Sequence, residues 1–152
     1  MPAKPIPEGF HTVTPYLVVR DAPKVIDFLK RAFGAKLTTE PFNRLDGKIM
    51  HADLMIGDSH VMIAEESEYA QATPVSLYIY VPDVDAVFRQ AVSAGGEVSM
   101  EPSDMFYGDR SGAVKDSAGN SWNIATHKED IEPAELKKRA QEFLKQHKSQ
   151  AA

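Results

Sequence analysis

Cysteine is absent from this 152-residue sequence. That excludes a disulfide framework, thiolate catalysis and cysteine-ligated zinc. No apolar run approaches the roughly 20 residues that a spanning helix requires. The opening stretch MPAKPIPEGF has no hydrophobic segment of the kind a secretory leader carries, so a cytoplasmic protein without membrane contact is expected. The body of the chain also lacks a cluster of cations. Its net charge is −5, and nucleic-acid binding, which depends on grouped lysines and arginines neutralising phosphates, is not expected. Basic residues gather only near the end, where Lys137, Lys138, Arg139, Lys145 and Lys148 alternate with Glu135 and Glu142 as on a solvated helix face. There is no Gly-x-Ser-x-Gly elbow and no phosphate loop, because GAVKDSAGN lacks the Gly-Lys-Ser/Thr ending.

What remains is an ordinary globular composition, 43% hydrophobic and 26% charged, in a chain long enough for one domain with its own core. Its organising feature is an internal repeat. Tyr16-Leu17-Val18-Val19-Arg20-Asp21 aligns with Tyr78-Ile79-Tyr80-Val81-Pro82-Asp83, 62 positions later. Each aspartate is placed to cap a helix, and helical periodicity follows in Val25, Ile26, Leu29, Ala32 and Phe33, then in Val84, Val87, Ala91 and Val92. Gly34 and Gly95-Gly96 close the helices. Strand-like segments follow at 36–41 and 97–102. Two further pairs, 49–56 with 59–65 and 111–115 with 121–126, are joined by hairpin turn residues.

The order is βαβββ twice. The expected fold is α+β, a curved and mostly antiparallel sheet around a cavity, with helices on the outer face and a C-terminal helix. An arm over 1–11 precedes a domain over 12–130, with modules at about 12–66 and 74–127. A helix and tail occupy 131–152.

Strand alternation divides the side chains between two faces. Leu17, Val19, Leu77, Ile79 and Val81 suit the helices. The opposite face carries Thr14, Tyr16 and Val18 in one half and Ser76, Tyr78 and Tyr80 in the other, with His60 and Met62 on the same parity. That aromatic and polar face suits a small-molecule pocket, or tyrosines packed on one another or across a dimer.

The duplicated pattern, PYLVVRDAPKVIDFLKRAFGA (15–35), VPDVDAVFRQAVSAGGEV (81–98) and FYGDRSGAVKDSAGNSWNIATHKED (106–130) resemble the vicinal oxygen chelate superfamily, which includes glyoxalase I, extradiol dioxygenases and bleomycin-binding resistance proteins. The last stretch most resembles its PhnB-like branch. The resemblance implies a two-fold homodimer whose sites draw on both chains. It also implies that metal ligands, where present, come from the first and last strands of each module, at positions here occupied by Thr14, Met62, Ser76 and Asn123.

Two hydroxyls, a thioether and a carboxamide provide neither an anion nor an imidazole, so no metal and no cofactor are expected. A displaced set of His51, Asp53 and His60 is the alternative, and it would support a glyoxalase-like lyase, isomerase or dioxygenase. Tyr107 and Asp109 either overhang the pocket mouth or, with Arg110, pin their loop. The leading expectation is a metal-free protein that sequesters a small molecule using Thr14, Tyr16, His60, Met62, Ser76, Tyr78, Tyr80, Tyr107, Asp109 and Asn123. An interaction module that dimerises without a ligand is the third reading.

Overall fold

The computed structural model describes residues 2–148, so the end of the expected tail, 149–152, lies outside the described residues. The first module comprises β1 (Tyr16–Val19), α1 (Ala22–Phe33), β2 (Lys36–Leu37), β3 (Phe42–Asn43), β4 (Ile49–Ile56) and β5 (Ser59–Glu65). The second comprises β6 (Ser76–Tyr80), α2 (Val84–Ser93), β7 (Glu97–Asp104), β8 (Asp109–Lys115) and β9 (Ser121–His127), and α3 (Pro133–Lys148) follows.

Local chemistry explains where α1 and α2 begin and where α1 ends. The side chain of Asp21 accepts from the Lys24 amide at 3.2 Å, and that of Asp83 accepts from the Ala86 amide at 3.0 Å. These contacts satisfy donors that a helix start leaves free. Each module adds a second cap from the end of its last strand. Glu65 Oε1 takes the Ala22 amide, and the Thr126 hydroxyl takes the Val84 amide at 2.9 Å. Gly34 ends α1 in the left-handed conformation, at φ +66°.

The class and module order are those the sequence implies, α+β with a C-terminal helix. The strands form two sheets, ordered β1-β5-β4-β2 with β3 on β4, and β6-β9-β8-β7. The pairs β1/β5 and β6/β9 are parallel and the rest antiparallel. The sheets do not close on one another: β1 and β6 are both edge strands.

Helix α1 lies against β4 and β5, α2 lies against β7, β8 and β9, and the two helices pack together. Gln90 of α2 donates to the Arg31 carbonyl of α1 at 2.8 Å. The core is the helix-facing side of each sheet, with Leu17, Leu54, Ile63, Trp122 and Ile124 fully buried. Burying each such side chain contributes about 1.5–3 kcal/mol. The Trp122 ring of β9 meets Phe33 of α1 at 5.3 Å, so the core is continuous between modules. The opposite face of each sheet is left open, with Tyr16, Tyr78 and Tyr80 exposed on it.

Candidate functional site

The open face of the second sheet assembles a connected polar cluster. Alternation along β6 presents Ser76, Tyr78 and Tyr80, and the register sets Tyr78 beside Asn123, Tyr80 beside Ala125, and Asp109 beside His127. Ala125 and Ser111 are small, and the tyrosines lean across β9 to reach β8. Both hydroxyls donate to one oxygen of Asp109, Oδ2, at 3.0 Å each. The rings stand 5.3 Å apart. On the other side of the carboxylate, His127 Nδ1 meets Oδ1 at 2.8 Å, while its Nε2 meets Asp130 Oδ1 at 2.9 Å. Asp109 is only 5% exposed, whereas Tyr78 and Tyr80 are 42% and 65% exposed. The anchor is hidden and the ring faces are available.

This arrangement sets the protonation of its members. Burial alone would raise the Asp109 carboxyl, but hydrogen bonds from His127, Tyr80 and Tyr78 outweigh it and hold it below the ordinary carboxylate value. The His127 imidazole is raised, first by Asp109 and then by Asp130. Tyr78 is raised by burial, with Tyr107 and Asp109 adding to the effect. Tyr80 is raised chiefly by its bond to Asp109. Both phenols stay protonated and both keep an oxygen lone pair for an incoming donor.

Asp109 therefore belongs to a strand and a buried network, not to a mobile rim. Its neighbour Arg110 turns away, pairing with Asp85 through two bonds of 2.8 and 2.9 Å and with Asp104 at 3.4 Å. Tyr107 sits in the preceding turn, edge-on to Phe106.

The four positions that the resemblance pairs with metal ligands are brought together only in part. Asn123 donates through Nδ2 to Ser76 Oγ at 3.1 Å and to the Leu77 carbonyl at 2.9 Å. Met62 pairs in register with Tyr16 on the other sheet. Thr14 falls outside β1, which starts after Pro15, and its hydroxyl donates to the His11 carbonyl at 3.4 Å. The first-strand placement expected for Thr14 is thus corrected. A divalent ion does not fit this donor set, because no member is anionic or an imidazole and the Asn123 amide nitrogen faces Ser76.

The alternative set of His51, Asp53 and His60 is also brought together only in part. Asp53 Oδ2 accepts from His60 Nδ1 at 2.7 Å and from the Thr38 hydroxyl at 2.6 Å. His51 instead stands opposite Phe42 of β3. Among the described residues no three His, Asp or Glu side chains are grouped to hold a metal ion.

Between the modules, a cleft of about 810 Å³ joins Thr14 and His60 of the first to Tyr78 and Tyr80 of the second, over an apolar floor that includes Phe33 and Trp122. Tyr16, Met62, Ser76, Tyr107, Asp109 and Asn123 lie outside its lining. Sequence reasoning missed His127, which reads as tail. Extending the β9 alternation from Asn123 through Ala125 would have put it on the tyrosine face. Among the described residues no helix is long and apolar enough to cross a membrane.

Comparison with known proteins agrees with this architecture. A model of the glyoxalase/bleomycin resistance protein/dioxygenase superfamily matches residues 9–124. An uncharacterized protein of Mycobacterium bovis is 34% identical over 136 residues, which is 82% of this chain and 88% of the relative. The crystal structure of TioX from Micromonospora sp. ML1 superposes with a TM-score of 0.65 at 28% identity, covering 77% of this chain and 98% of that one. A PhnB protein from Bacillus cereus shares the fold, with a TM-score of 0.59 at 19% identity, covering 76% of this chain and 99% of that one.

Proposed function

This chain belongs to the glyoxalase/bleomycin resistance protein/dioxygenase superfamily, and from that premise we propose that it binds a small organic molecule without a metal ion. The ligand carries an aromatic ring and polar groups, and it is held rather than converted. The observation that carries this reading is the pair of exposed rings, Tyr78 and Tyr80, fixed through their hydroxyls to the buried carboxylate of Asp109. Rings held in place lose little freedom when a planar ligand stacks on them. Each stacked pair contributes about 0.5–1.5 kcal/mol beyond burial, so two or three rings give useful affinity. Ser76, Asn123 and His60 supply the hydrogen-bonding groups. The unsuitable donor set at 14, 62, 76 and 123 supports a role that needs no Lewis acid.

We further propose a cytoplasmic homodimer. The open sheet faces leave Tyr16, Phe42, Tyr78 and Tyr80 exposed, an amount of apolar surface that a second copy would cover.

The test is titration of the purified protein with a panel of planar aromatic compounds, following tyrosine and tryptophan emission. Quenching that saturates below millimolar concentration, and weakens at least tenfold in Tyr78→Ala, is expected. A panel with no binder tighter than millimolar sinks the reading.

A further inference from the structure

The two oxygens of the Asp53 carboxylate are treated unequally. Oδ2 receives both His60 Nδ1 and the Thr38 hydroxyl, at 2.7 and 2.6 Å. Oδ1 is fully buried and has no hydrogen-bond partner among the described residues, in a residue that is itself 7% exposed. An anionic oxygen withdrawn from water without a donor is costly, and native structures seldom leave one so. The group that would complete it is an N–H or O–H brought from elsewhere.

The imidazole bound to the other oxygen is already covered on one face. The Phe10 ring lies on the His60 ring with centroids 3.7 Å apart and planes 12° from parallel. Phe10 comes from the N-terminal arm, where a turn closed by its own amide on the Pro7 carbonyl at 3.1 Å presents the ring. Gly9 permits the approach: at φ +83° it lies so close that a Cβ would stand 3.3 Å from His60 Nε2. Between residues 2 and 13, Phe10 is the one position that is not exposed. The Phe10 ring is the most buried part of the arm, and a hydrocarbon ring has no donor to offer Asp53.

We infer that the His60 ring face and Asp53 Oδ1 form a ligand subsite for a planar heteroaromatic ring bearing an edge N–H or O–H donor, and that Phe10 is its intramolecular occupant. The incoming ring takes the place of Phe10 over the imidazole and donates to the unpartnered oxygen. This deepens the small-molecule reading, since His60 also lines the cleft between the modules. It differs in placing the ring on the first sheet, away from the tyrosine pair.

Indole and 1-methylindole probe the subsite, because they share a ring system and differ at the N–H. Binding is followed by calorimetry and by the ring-proton resonances of His60 in the full chain. Phe10→Ala, a change in the arm that leaves the folded core intact, is expected to tighten indole about tenfold, on the scale of one 1.4 kcal/mol step. It should favour 1-methylindole clearly less, and the His60 resonances should shift on addition of indole. A Tyr78→Ala/Tyr80→Ala variant should leave that response in place.

Indole affinity that depends on the tyrosines and is indifferent to Phe10 would overturn this inference while leaving the broader reading standing. Equal gains for both probes would overturn the role of Asp53 Oδ1. No response to any of these changes would overturn the subsite.

Discussion

His127 of β9 and Asp109 of β8 are register partners on neighbouring strands, joined Nδ1 to Oδ1 at 2.8 Å. The other ring nitrogen faces Asp130 Oδ1 at 2.9 Å. Two nitrogens that each face a carboxylate oxygen are both satisfied only when both carry protons, so the geometry selects the imidazolium. Folding therefore raises this group above its ordinary value of 6.5. Its contribution to stability is complete below that value and is lost as pH rises through the higher folded one. In urea unfolding between about pH 5.5 and 8.5, His127→Gln should cost most at the acid end and progressively less towards the alkaline end. A penalty independent of pH would mean that the ring contributes only packing.

Removing one tyrosine hydroxyl takes a donor from a buried anion. Tyr78→Phe and Tyr80→Phe should each destabilise the fold by about 1–2 kcal/mol, measured by denaturant unfolding. Because both hydroxyls converge on Asp109 Oδ2, the double variant should cost something other than the sum of the two. The Asp109 carboxyl should also titrate higher in each variant, as carbon-detected NMR would show.

The KDSAGNSW stretch, which carries much of the family resemblance, has a structural explanation. Asp116 is buried and takes Trp122 Nε1 at 2.9 Å, Asn120 Nδ2 at 3.0 Å, and the amides of Ala118 and Asn120 at 2.9 and 3.0 Å. Asn120 passes the connection on, accepting from the Val75 amide at 3.0 Å. Asp116→Ala leaves four donors unmet in a closed turn. It should cost on the order of 3 kcal/mol and shift Trp122 emission to longer wavelength, with no direct effect on a ligand held at Tyr78.

The repeat was legible because its signals are local. Asp21 and Asp83 cap their own helices, and the apolar parity of Leu17 and Ile79 follows from two-residue alternation. The separation of the sheets was not legible. β1 and β6 are edge strands whose residues would read the same had they paired. The tyrosine–carboxylate cluster was half legible. Tyr78, Tyr80 and Asn123 share a parity that the sequence displays, but Asp109 follows a glycine in a turn-like YGDR and reads as loop. Its partnership with the tyrosines depends on β9 lying between β6 and β8, which is a matter of strand order. Thr14 was misplaced by assuming that the strand runs through Pro15.

Gly108 offers a way to test whether the cluster and the C-terminal helix are mechanically joined. It stands at φ +95°, and a Cβ there would collide with the Glu129 carbonyl and come within 3.2 Å of Ile131 Cδ1. Its own carbonyl accepts the amides of Lys128 and Glu129 at 2.9 and 3.1 Å. The segment so held carries Asp130, which binds His127, and Glu129, whose two oxygens take Arg139 of α3 at 2.9 and 3.0 Å. Gly108→Ala should therefore cost at least about 1–3 kcal/mol from backbone conformation alone, and it should push the 128–131 segment outward. With Asp130 displaced, one of the two carboxylates that raise His127 is gone. Its imidazole should then titrate closer to its ordinary value in proton NMR, while Asp109 continues to hold it part of the way. An unchanged His127 titration in a destabilised Gly108→Ala protein would show that residues 105–109 yield instead, and that the cluster stands independently of the helix behind it.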